Sequence, residues 1–126
     1  MISANREAFA WGRSLAQVAR DSDKRVGFVA SGSVSHRLVR GPERGPRPED
    51  EELDHQFARL LAGGEYEKVW GWLPEFARAA LPEMGGRHLA MMLGSILESG
   101  NHFVSKVHAY GPSSGSGNYV ISLVAQ

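Results

Sequence analysis

Apolar residues recur at Ala4, Ala8, Trp11, Leu15 and Val18, one face of a 3.6-residue repeat. The spacing predicts an amphipathic helix, capped by Ser3 and ended by the turn residues Asp21, Ser22, Asp23 and Lys24. The pattern then changes: Val26-Gly27-Phe28-Val29-Ala30 is apolar without alternation, which predicts a strand from Arg25 to Ala30 buried on both faces. Between Gly41 and Pro48, prolines and glycines remove donors and unsettle φ, so this stretch is a surface loop. Leu53, Phe57, Leu60 and Leu61 share the face of a second helix, opened by the acidic run Glu49–Glu52 and closed by Gly63-Gly64.

Two short helices are predicted next, Glu65 to Trp72 and Pro74 to Leu81, with Pro74 in the first turn of the latter. A further helix, Arg87 to Glu98, places Leu89, Met92, Leu93 and Ile96 together. Phe103 to Tyr110 and Tyr119 to Val124 read as strands joined by the glycine- and serine-rich stretch Gly111–Asn118, and no segment repeats another. The order predicts an α/β fold, a layered sheet with helices on both faces, in one unit over residues 1–126. That length buries a real core yet is short for a complete α/β enzyme, so half of a larger fold is one expectation.

Composition narrows the function classes. Fourteen basic and fourteen acidic residues balance, leaving no field to gather nucleic acid or an anionic membrane. Without cysteine there is neither a disulfide frame nor a thiolate metal site. No apolar run approaches the roughly 20 residues of a membrane span, and residues 1–20 lack a signal-peptide core, so a soluble cytoplasmic protein is expected.

Candidate chemistry centres on Ser31-Gly32-Ser33-Val34-Ser35-His36, which leaves the C-terminal edge of the predicted strand, where open α/β sheets place ligands. An imidazole there suits proton transfer near neutral pH, or else satisfies loop carbonyls. Glu83, between Pro82 and Gly85-Gly86, reads either as a metal ligand or as the cap of the following helix. His88 follows Glu83 at nearly one helical turn, but the two glycines between them oppose a continuous helix and a metal set built on it. His55 lies in a charged helix start, and His102 and His108 in or beside a strand. Trp11, Trp70 and Trp72 at helical positions suit core or subunit packing. Neither glycine-rich loop carries a phosphate-binding pattern.

In order along the chain, Ser31-Gly32 leading to Ser35-His36, Gly41-Pro42, Asp54 with Phe57, Glu83 with Gly85 and Arg87, Met92-Leu93-Gly94, Tyr110-Gly111 and Gly115-Ser116-Gly117-Asn118-Tyr119 resemble the C-terminal half of the class III extradiol ring-cleavage dioxygenases. The resemblance implies a non-haem Fe(II) site held by two histidines and a glutamate, opening a catechol-type ring with dioxygen. It assigns the iron-ligating carboxylate to Glu83 and the acid/base imidazole to His36. His36 would take a proton from the bound catechol or return one during O–O cleavage. Both iron-binding histidines belong, in the family, to the N-terminal half, so a partner segment or subunit and an oligomer are expected. The alternative is a non-catalytic interaction domain, assembling through its tryptophans and the loop from Arg40 to Pro48.

Overall fold

The computed structural model describes residues 2–126, with the side chains of Ile2 and Ser3 outside the description. The cap expected of Ser3 therefore rests on a side chain outside the description. The helices are α1 (Ile2–Asp21), α2 (Pro48–Ala62), α3 (Tyr66–Ala80) and α4 (Arg87–Ser99), with a 3-10 turn at Glu83–Gly86. Two strands, β1 (Phe103–Ser113) and β2 (Ser116–Ala125), close the chain. Helices and strands thus combine as the α/β class requires. No helix among the described residues is long and apolar enough to cross a membrane.

The core forms where apolar helix faces meet. Phe57 and Leu61 of α2, Val69, Leu73 and Phe76 of α3, and Leu89, Leu93 and Ile96 of α4 are buried together, with Val34 inserted from the loop before α2. Each large side chain so buried contributes about 1.5–3 kcal/mol. The break expected before Pro74 is absent: α3 runs through it. Val69, Leu73, Phe76, Ala77 and Ala80 occupy one buried face, and their combined burial outweighs the roughly 3 kcal/mol cost of an interior proline. Trp70 stacks on Phe9 of α1 at 4.1 Å and Trp72 tilts against Phe76 at 5.0 Å, whereas Trp11 is exposed.

β1 and β2 pair antiparallel, with a register shift between Val107 and Ala109. The loop between them is two residues, Ser114 and Gly115, both at positive φ, as tight hairpins require. Both strands reach further into the stretch Gly111–Asn118 than their apolar pattern indicated. Phe103, Tyr119, Ile121 and Leu123 pack on the helical core, while Val104, Val107, Val120 and Val124 are exposed. The layering is therefore reached on one face of the sheet.

Residues 25–30 correct an expectation. They form no strand, and Val26 and Val29 are 60% and 87% exposed. A strand needs neighbours for its N–H and C=O groups, and the sheet described here consists of β1 and β2 alone.

Candidate functional site

The segment after residue 30 is irregular, yet Ser33, Val34 and Ser35 are buried. Buried loop backbone must find partners, and here it draws the candidate residues together. Val34 N–H donates to Gly117 O (2.9 Å), Gly117 N–H to Ser35 O (3.1 Å), and His36 N–H to Ala80 O (3.2 Å). His36 and Ser116 form an isolated antiparallel bridge, so the loop lies along the start of β2. Gly32 faces the His88 ring with no room for a Cβ, which would lie 2.8 Å from Nε2.

His36 is partly buried, and its Nδ1 lies 2.9 Å from both Ser33 Oγ and Ser116 Oγ. Hydroxyls, rather than loop carbonyls, therefore orient the ring, and among the described residues Nε2 has no hydrogen-bond partner. Glu83 reaches across from the 3-10 turn, its Oε2 accepting Ser33 N–H at 2.9 Å. The capping alternative fails, because α4 begins after Gly86 without a side-chain cap. Ser33 thus holds both candidates, the imidazole through its hydroxyl and the carboxylate through its N–H.

His88 completes this cluster. Its Nε2 donates to Ser33 O at 3.1 Å, which leaves the lone pair on Nδ1, a buried atom without a partner. Burial holds the His88 pKa below its ordinary value, against the opposing pull of the Ser33 carbonyl and Glu83. Burial thus favours the neutral form of the ring. Among the described residues no three His, Asp or Glu side chains converge as a metal-binding group.

A second polar cluster adjoins the first. Asp54 is fully buried on α2, its Oδ2 accepting Ser35 Oγ at 2.7 Å and Tyr110 OH at 2.6 Å, while Oδ1 has no partner. Burial raises the Asp54 carboxyl, the two hydroxyl bonds opposing, and burial beside Asp54 likewise raises the Tyr110 phenol. His55 bonds Tyr119 through Nδ1 and Glu51 through Nε2 (3.3 Å). Asp50, also fully buried, pairs with Arg37 at 3.2 Å and Arg47 at 3.0 Å. Neither Asp54 nor Asp50 is among the candidate reactive side chains of the sequence, where Asp54 stands only as a landmark of the resemblance. The signal was present: both share a helical face with Phe57 and Leu61, and a carboxylate in core phase is informative.

The remaining histidines stay apart from this site. His108 bonds Ser122 Oγ at 2.8 Å on the exposed side of the hairpin, and His102 is exposed.

Comparison with known proteins decides the family. The profile described as the catalytic LigB subunit of aromatic ring-opening dioxygenase matches residues 2–121. The chain belongs to this family. Among curated proteins it is 28% identical over 119 residues to protein CA_C1420 of Clostridium acetobutylicum, covering 94% of this chain and 25% of that protein. It is 26% identical over 108 residues to 3,4-dihydroxyphenylacetate 2,3-dioxygenase of Escherichia coli, covering 81% of this chain and 38% of that enzyme. The chain thus spans well under half the length of these relatives. The family match agrees with the resemblance drawn from the motifs.

Proposed function

We propose that this chain is part of an iron(II)-dependent extradiol dioxygenase that opens a catechol-type ring, with His36 moving a proton at a substrate hydroxyl and Glu83 serving as one metal ligand. The observation that supports it most is the convergence of His36 and Glu83 on Ser33, from positions 47 residues apart in sequence (83 − 36).

Taken alone, the described residues do not fit an iron centre, since one carboxylate with an oxygen already held by Ser33 N–H is the share this chain offers. The two imidazole ligands would come from an N-terminal half or a partner subunit. In a completed centre Glu83 would be the ligand this chain contributes, and the iron would supply the chemistry that joins dioxygen to a catechol. The part assigned to this chain is proton handling. With Nδ1 held by serine hydroxyls, His36 can present Nε2 as a base to a phenolic hydroxyl and return the proton later.

The second reading, an interaction domain without catalysis, draws on the exposed Trp11 and Val29. Co-expression with a segment carrying the missing ligands separates the two. His36→Ala is expected to lower catechol-dependent oxygen uptake about 100-fold or more with iron retained, and Glu83→Ala to lower iron content. Equal iron loss in both variants overturns the assigned roles. A protein that binds neither iron nor catechol, alone or co-expressed, overturns the proposal in favour of the interaction domain.

A further inference from the structure

We infer that Asp54 is a positioning residue for His36, acting through Ser35 and the start of β2 to fix which imidazole nitrogen carries the proton. This rests on the proposed role of His36.

The geometry runs in one line. Asp54 Oδ2 accepts the Ser35 hydroxyl, and Ser35 Oγ in turn accepts Gly117 N–H at 3.1 Å. Gly117 pairs with the loop on both sides, donating to Ser35 O and accepting from Val34 N–H. The residue before it, Ser116, places its hydroxyl on His36 Nδ1, and the residue two before Ser35, Ser33, supplies the other hydroxyl. Both groups that orient the imidazole are therefore one or two residues from atoms that Asp54 clamps. Gly117 is pressed so closely on the carboxylate and on Tyr110 OH that a Cβ would overlap both.

Stability does not account for this carboxylate. It is fully buried, faces no cationic side chain among its hydrogen-bond partners, and leaves Oδ1 without a partner. Such a group costs free energy that an apolar residue would not. A costly polar group held beside a reactive one is the pattern expected where geometry near a site matters more than stability. For His36 the geometry decides function: Nε2 acts as a base only in the tautomer with its proton on Nδ1, and two hydroxyl oxygens converging on Nδ1 offer that proton two acceptors, where a lone pair there would take a proton from one hydroxyl alone.

The test reads the tautomer directly, by 15N NMR of histidine-labelled chain, with the His36 resonances assigned by their loss in His36→Gln. Neutral His36 is expected to favour the Nδ1–H tautomer by about tenfold, the factor set by one hydrogen bond of ordinary net strength. Asp54→Ala and Ser35→Ala are expected to bring the two tautomers close to parity. Asp54→Asn, which keeps an oxygen for Ser35 and Tyr110, is expected to retain the bias within about twofold. A bias unchanged in both Asp54→Ala and Ser35→Ala overturns the inference; should Asp54→Ala not fold, an unchanged bias in Ser35→Ala alone overturns it. Loss of the bias in Asp54→Asn as well would show a general loosening and overturn it too. None of these outcomes depends on turnover. Undiminished activity of His36→Ala in the completed enzyme would instead overturn the catalytic reading and leave the tautomer result standing.

Discussion

Gly94 of α4 lies so close to the carbonyl of Phe9 on α1 that no Cβ fits between them. Gly12 of α1 meets the Met91 carbonyl in the same way, so the two helices cross backbone to backbone at paired glycines. An alanine at position 94 would gain about 1 kcal/mol of helix propensity. It would also force the helices apart, at about 1–3 kcal/mol or more. Gly94→Ala is therefore expected to lower the urea midpoint, and a midpoint equal to or above that of the parent would show that α1 yields without cost.

The contact between Gly32 and His88 bears on the candidate site itself. A methyl group at position 32 would push the imidazole away from Ser33 O and leave that carbonyl and Nε2–H unpaired. Gly32→Ala is expected to destabilise the chain by about 1–3 kcal/mol and to shift the His88 ring resonances in an NMR spectrum. Unmoved resonances would mean that the loop, rather than the ring, gives way.

Much of this architecture was legible in sequence. The face formed by Leu89, Leu93 and Ile96 gave α4 its place, and Phe57 with Leu61 gave α2, because a 3.6-residue period reports burial whatever it packs against. Pro74 misled because local propensity says nothing of the five residues whose burial carries α3 through it. In the site, motif order selected His36 and Glu83, and the structure brings them together on Ser33. What periodicity could not reveal was the means: the hydroxyls of Ser33 and Ser116 meet at His36 only when the hairpin lies against the loop, a contact 80 residues apart in sequence.

Asp54 makes stability depend on pH with a definite sign. Burial raises its carboxyl above the ordinary value of 3.8. As pH rises past 3.8 the unfolded chain releases this proton while the folded chain keeps it, so the folded state holds more protons and stability falls with rising pH. The contribution is full below 3.8 and is lost as pH rises through the folded value. Asp54→Asn cannot ionise, and its urea midpoint is expected to lack this downward component. Parallel midpoint curves for parent and variant between about pH 3 and pH 7 would show that the carboxyl titrates alike in both states.

The apolar run at residues 26–30 yields a prediction about assembly. Its sequence suits a buried strand, yet in this chain it pairs with nothing in the sheet and exposes Val26, Phe28 and Val29. Contiguous apolar surface of this kind is costly to leave in water. If the proposed function holds, a strand from the ligand-bearing segment would lie beside it, supplying partners for the backbone and cover for the side chains. Amide hydrogens of residues 26–30 are then expected to exchange freely in this chain and to slow by about 100-fold or more once that segment is co-expressed, as in strands held by stable pairing. Val29→Asp would abolish the protection and the recovered iron together. Exchange that stays fast in an assembly that has gained iron would show that the metal ligands arrive without this strand being formed.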